Sequence, residues 1–227
     1  MNDTLIAVMS CWDDRARGAH DAIRQTWVSR MVPTLDYKIF VGRPENPFGK
    51  LYHDEEQLDV IDQYGGLPWK SQAIRRWALD HGYKWVFKAD RDTYINPARL
   101  ADSGYRAYDY AGHFPKEPVD GPVPTMPDPK GRYIYASGGP GYWTSVRAME
   151  VIVAAPVDEK AQDNYGSMAE DLWMANILIP AGMQGWHDHR YMFKGSALVP
   201  EAISIHLSTH TGGYHPSWLL NAHKWSK

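Results

Sequence analysis

The sequence is short of cysteine. Cys11 is the single one, so no internal disulfide can form, and that speaks against a scaffold matured in an oxidising compartment. The thiol is expected in a buried strand. Long apolar runs are missing too. Nothing approaches the ~20 residues needed to span a bilayer, and Leu5 to Met9 is too short, with acidic rather than basic flanks, to form the core of a signal peptide. The expectation is a soluble, cytoplasmic protein without stable membrane insertion. Positive charge is not in excess: the formal net charge is −3. That excludes the broad basic surface behind non-specific nucleic-acid binding, while a local basic groove stays compatible with it. There is no internal repeat and no dense ligand motif such as His-Glu-x-x-His, so a histidine-based metallohydrolase ranks last among the enzyme classes.

What is present fits one α/β domain over residues 1–227. The 227 residues, 44% hydrophobic, suffice for one sizeable core and are few for two enzymatic domains. Ten Trp and fourteen Tyr supply flat faces suited to sugars or nucleobases, although a plain aromatic core accounts for most of them. Leu5 to Met9 and Tyr37 to Val41 read as buried strands. Pro68 opens a helix carrying Ile74, Trp77 and Ala78 at helical spacing, and Gly82 closes it. Lys84 to Ala89 is a strand that stops at Asp90-Arg91-Asp92. A loop rich in Pro and Gly covers Phe114 to Gly131, and strand-like Tyr133 to Ala136 leads into Ser137-Gly138-Gly139-Pro140-Gly141. Helices are expected over Val146 to Ala154 and Ala169 to Ile179. Alternating strands and helices imply an α/β/α sandwich, whose ligands bind at the carboxyl ends of the strands.

Asp90 and Asp92 fall at such an end. Two carboxylates one residue apart can face one side of a turned segment, where one ligates a divalent cation and the other meets a ribose. The spacing alone is weak, because 27 acidic residues in 227 produce about three such pairs by chance. The chain has two, and the second, Asp54 and Glu56, falls in a segment that reads as a polar loop.

Taken together, five segments resemble the ordered motifs of the beta-1,3-galactosyltransferase and Fringe superfamily. They are Ala22-Ile23-Arg24-Gln25-Thr26-Trp27, Lys70 after Tyr64, Phe87 to Pro97 around Asp90-Arg91-Asp92, Ser137 to Tyr142, and Glu170-Asp171-Leu172-Trp173. The resemblance implies a GT-A fold, that is, a Rossmann-like nucleotide-sugar-binding α/β/α sandwich with a mixed central sheet. It also implies a UDP-sugar donor, manganese or magnesium, and inversion at the anomeric carbon. Asp92 becomes the metal-ligating carboxylate, with Asp90 in the metal shell or on the uridine ribose. Arg91 stands where the family usually has a third acid. Arg24, Asp62 and Lys70 match positions around the nucleotide, a surface salt bridge being the bland use of each.

Inversion by a single displacement needs one base for the acceptor hydroxyl. The resemblance assigns that role to Asp171, with Glu170 orienting it or binding the acceptor, and exchange of the two roles stays open. The final strand Ile203 to His206 would complete the metal site through His206, with His187, His189 and His210 as competitors. Gly138, Gly139 and Gly141 would let the backbone approach the donor sugar, or serve only a tight turn. Trp143 and Trp173 are candidate acceptor platforms. The absence of an anchor and of paired cysteines departs from animal secretory members and points to a bacterial or viral version, acting in the bacterial or host-cell cytoplasm. The acceptor is open between a glycan, a protein, a small molecule and a modified nucleic acid. A non-catalytic nucleotide-sugar or glycan-binding protein of the same fold is the alternative, motivated by Arg91.

Overall fold

Six consecutive buried residues, Thr4–Met9, form β1. The run is apolar because the strand is covered on both faces and paired on both edges. It lies parallel to β2 (Asp36–Arg43) on one side and to β4 (Trp85–Asp90) on the other. The computed structural model describes residues 2–44, 49–115, 117, 119–157, 169–193, 201–208 and 215–225. Side chains of β1 alternate between two helical layers. Leu5, Ala7 and Met9 pack with Ile74 and Ala78 of α3 (Leu67–Asp80) and Met149 of α5 (Val146–Ala154). Ile6 and Val8 pack with Ile23 of α2 (Ala19–Gln25), with Trp27, and with Leu219 of α7 (Ser217–Trp225).

The large sheet has the order β3-β2-β1-β4-β8-β6-β9-β7, in which β3 is Glu55–Ile61, β6 Tyr110–Gly112, β7 Gly121–Pro122, β8 Tyr142–Ser145 and β9 Gly185–His187. Its first four strands are parallel, and β8 is antiparallel to both β4 and β6. That reversal positions the site. An antiparallel strand starts where its neighbour ends, so the glycine turn before β8 lies at the carboxyl end of β4, with Tyr142 opposite Lys88. A second sheet, β10 (Tyr191–Phe193), β11 (Ser204–His206) and β5 (Thr93–Ile95), sets His206 opposite Thr93, one residue beyond Asp92. The remaining helices are α1 (Trp12–Ala16), α4 (Pro97–Ala101) and α6 (Glu170–Leu178). Among the described residues no helix is long and apolar enough to cross a membrane.

Several expectations are corrected. Asp54 is in the turn before β3 as expected, but it is buried, while Glu56 lies within β3 next to buried Glu55, which opens the strand. Buried carboxylates must be paired, and Asp54 accepts from Arg24 and Tyr37 while Glu55 accepts from Arg15 and Arg24 and lies 2.8 Å from His20 Nδ1. Tyr133 to Ala136 joins no sheet. Cys11 lies just past β1 and is half-buried; its thiol donates to Asp14 at 3.0 Å, and burial together with that carboxylate pushes it up to about 12.

Trp143 and Trp173 are not acceptor platforms, being 0% and 1% exposed. The Trp143 ring stacks on Tyr105 at 3.8 Å, and its Nε1 donates to the Tyr191 hydroxyl at 2.9 Å. Trp143→Ala is therefore expected to destabilise the fold by about 3–5 kcal/mol. Urea denaturation would read this as a lowered midpoint at unchanged slope.

Candidate active site

Three elements meet at the carboxyl end of β4. Lys88 is a lysine inside a buried strand, 3% exposed. Its Nζ lies 2.7 Å from Asp90 Oδ1 and 3.6 Å from Glu170 Oε2, and donates to the Gly138 carbonyl at 3.3 Å. Burial alone would lower this ammonium, but Asp90 and Glu170 outweigh it and hold it protonated. Lys88 thus bridges the Asp90 segment, the glycine turn and the first turn of α6.

Asp90, Asp92 and His206 present ligand atoms that all lie within 4.8 Å of one another. Asp92 is 2% exposed; its Oδ2 accepts from Ser208 and lies 3.4 Å from His206 Nε2. Against burial, those two partners hold its carboxyl down at about 2. Burial pushes Asp90 up against the pull of Lys88, and Asp92 raises His206 in spite of burial. Two atoms of the trio, Asp92 Oδ1 and His206 Nδ1, are buried and have no hydrogen-bond partner among the described residues. Buried polar atoms are rarely left so without a reason. Two carboxylates and an imidazole suit a hard divalent cation such as manganese or magnesium, so the residues present fit the metal that the resemblance implies.

The competing histidines are differently placed. His189 forms a second trio with Asp120 and Asp188, but its carboxylates are already engaged by protein donors. Asp120 accepts from the His189 backbone N–H and lies 2.7 Å from its Nδ1, and Asp188 takes the Arg190 guanidinium. His187 Nδ1 accepts from the Phe114 backbone N–H at 2.9 Å, which leaves the ring proton of the neutral form on Nε2. His210 lies outside the described residues.

The two acids of α6 differ in environment. Glu170 is buried, accepts from Ser71 Oγ at 2.5 Å and from the Tyr142 hydroxyl, and sits near Arg75, which donates to both Ser71 Oγ and Tyr142. Burial would raise it, but Lys88, Arg75 and these hydroxyls hold it below the usual range. Asp171 is half-buried and accepts from two backbone groups, Gly138 N–H at 3.1 Å and Leu172 N–H at 2.9 Å. Burial, and then the neighbouring Glu170 charge, push its carboxyl up to about 6. A half-buried carboxylate raised to about 6 is suited to proton transfer.

The glycines are explained by this packing. A Cβ on Gly139 would lie 2.6 Å from His206 Nδ1, and one on Gly138 would lie 2.9 Å from Lys88 Nζ. Gly141 has φ +90°, and a Cβ there would meet Phe87 at 2.5 Å. Gly139→Ala is expected to displace the imidazole and weaken manganese binding by roughly 10–100-fold. Titration of the ion into wild type and variant measures this.

The other sequence-predicted residues are engaged by protein groups. Asp62 accepts from the backbone N–H of Trp12 and Gly42 and from Lys70 Nζ at 2.6 Å, and Lys70 also donates to the Ser10 carbonyl. The pair therefore ties the ends of β1 and β2 to α3, one residue beyond Met9, the partner of Asp90. Arg24 is likewise engaged, through carboxylates at the start of β3 and on α2. Its guanidinium is bidentate on Asp54, reaches Asp21 and Glu55, and lies 4.7 Å from the Tyr52 ring centroid. Arg91 turns to Asp14, with Nε 2.7 Å from its Oδ1. Lys88, Ser71, Arg75, Tyr142 and Ser208 were not assigned roles from sequence. Only Lys88 carried a signal, a charge inside an otherwise apolar strand.

No protein-family model matches the chain. Among solved structures it resembles the glycosyltransferase GlyE of Streptococcus pneumoniae TIGR4, with a TM-score of 0.57 and 11% identity over 97% of this chain and 60% of that one. It also resembles a glycosyltransferase involved in glycosylation of the major capsid of PBCV-1, with a TM-score of 0.54 and 12% identity over 97% of this chain and 99% of that one. The fold is GT-A-like. Identity this low carries the likeness of fold alone, and the chain spans 60% of the length of GlyE.

Proposed function

We propose that this chain is an inverting, metal-dependent glycosyltransferase that moves a hexose from a UDP-sugar to an acceptor hydroxyl. It would be a relative of the beta-1,3-galactosyltransferase and Fringe superfamily, working as one cytoplasmic catalytic domain over residues 1–227. One observation carries the reading. A trio with two unsatisfied buried atoms, Asp92 Oδ1 and His206 Nδ1, lies beside a carboxylate raised to about 6, with Lys88 and Gly138 between them. The likeness of fold to two glycosyltransferases supports the same class.

Asp90, Asp92 and His206 would hold manganese or magnesium, which when bound neutralises the charge developing on the departing diphosphate. Asp171 takes the proton from the acceptor hydroxyl as its oxygen bonds to the anomeric carbon and the electron pair of the breaking bond leaves on UDP. The Gly138 and Leu172 N–H groups fix Asp171, and Glu170 positions it as a neighbouring charge held by Ser71, Arg75 and Tyr142. Asp62 and Lys70, at the end of β1, are in this reading nucleotide-side residues; Arg24 would serve phosphate only by exchanging its carboxylate partners.

Proton NMR of the product from an α-linked UDP-hexose tests the mechanism. A β-configured product is expected; retention would exclude single displacement with Asp171 as base. Donor binding without cleavage would favour the non-catalytic alternative, although Arg91, its motivation, is directed at Asp14.

A further inference from the structure

Tyr133 to Ala136 has strand-like sequence and joins no sheet; instead its side chains line a cavity. Tyr133, Ile134 and Tyr135, with Met126, Leu172 and three prolines of the preceding loop, enclose about 280 Å³. That volume is at the small end of ligand sites. Asp171 borders the cavity without lining it: Leu172 of the lining is its chain neighbour, and Tyr135 lies three residues before Gly138, whose N–H donates to Asp171 Oδ2. The tyrosine wall is anchored to α6 through Tyr133 N–H donating to Asn176 Oδ1 at 3.3 Å, and to β6 through Ala136 N–H donating to the Tyr110 hydroxyl at 2.9 Å.

We infer that this cavity is the acceptor site and that it takes a neutral pyranose, seated on the tyrosine wall with the hydroxyl to be glycosylated directed at Asp171. The inference rests on the transferase reading of Asp171. Its chemistry comes from the lining. Among the described lining residues the one cation, Arg132, is bidentate on Asp128 through Nε at 3.0 Å and Nη2 at 2.8 Å, so these residues carry no net charge. A phosphate-rich acceptor such as nucleic acid finds no free counter-charge among these residues. A sugar ring offers C–H groups to aromatic faces and hydroxyls to a polar pair, and the cavity supplies both.

Ligand-observed saturation-transfer NMR tests this with methyl β-glucoside, methyl β-galactoside and methyl α-mannoside, against methyl glucuronide and a single-stranded oligonucleotide, in the absence of donor. At least one neutral pyranoside is expected to bind. Tyr135→Ala should weaken it about 10-fold, the scale of one lost aromatic contact. Met126→Glu, at a rim residue that is 79% exposed and outside the core, should also weaken it, which keeps the test decisive where Tyr135→Ala unfolds. Asp92→Asn should retain the binding. Cleavage of a UDP-sugar by a wild type that binds no neutral pyranoside would overturn the inference alone. So would preference for the charged ligands, or wild-type binding by both pocket variants. Pyranoside binding without any UDP-sugar cleavage would instead overturn the transferase reading.

Discussion

The Asp171→Asn variant is expected to transfer sugar roughly 10²–10⁴-fold more slowly than wild type, the contribution of a positioned base, while still binding UDP. The pH profile of the wild type carries the same claim. A base works ionised, and the Asp171 carboxyl is raised to about 6 by burial and by Glu170, so the rate should fall as pH drops through about 6. If Glu170 were the base, the limb would lie below its ordinary value of 4.5, because that group is held low by Lys88 and Arg75 in spite of burial. The profile thus separates the two acids. Stability gives an independent sign. A carboxyl whose pKa is higher folded than unfolded binds its proton more readily in the folded chain, so its contribution is favourable below the unfolded value and lost as pH rises through the folded one. Ionised Asp171 therefore costs stability above about pH 6. Asp171→Asn should melt higher than wild type at pH 8, and the gain should vanish below pH 3.8, where both carry no charge.

Asp92→Asn is the second large effect. Asp92 is 2% exposed, with Oδ1 unpartnered among the described residues and Oδ2 shared between Ser208 and the His206 side. The amide is nearly isosteric but is neutral and a poorer ligand for a hard cation. Metal-stimulated sugar release should fall at least ~100-fold, beyond the loss typical of outer-shell changes. Manganese with UDP should raise the melting temperature of wild type, by an amount equivalent to about 2.7 kcal/mol at one hundred times the dissociation constant, and should leave the variant unmoved. Full metal-stimulated transfer by Asp92→Asn would show that this trio is not the metal site.

The elements legible in the sequence are those whose local pattern and tertiary setting agree. β1 reads as a strand because it is buried on both faces, and α3 because Pro68 and Gly82 mark its ends, Gly82 with φ +78°. α5 has the expected limits and α6 differs by one residue at each end. β3 was hidden because its amino end is a buried acidic pair made tolerable by Arg15, Arg24 and His20, partners 30 or more residues away. β5, β10 and β11 span three residues each, too few for any periodicity to register, and only β11 was expected, through the resemblance. Tyr133 to Ala136 misled because aromatic and β-branched residues that suit a strand also suit a cavity wall.

At the candidate site, Asp90, Asp92, Glu170, Asp171 and His206 were singled out through the order of the motifs, and the fold brings them together. The residues that set their charge states were not. Ser71, Arg75 and Tyr142 act on Glu170 from α3 and β8, and Ser208 on Asp92, through contacts that only the folded chain creates. Arg24 failed in the opposite sense. Its motif position suggested phosphate, and the fold spends its guanidinium on Asp54 and Glu55.

The central claim is metal-dependent glycosyl transfer, and cleavage of UDP-hexoses by the purified chain tests it most directly. Each donor is incubated with manganese, with magnesium or with chelator, and released UDP is measured. The account predicts that one UDP-hexose is turned over with either ion, and that chelation abolishes the turnover. Equal turnover with chelator, or no binding of any UDP-sugar, would contradict it.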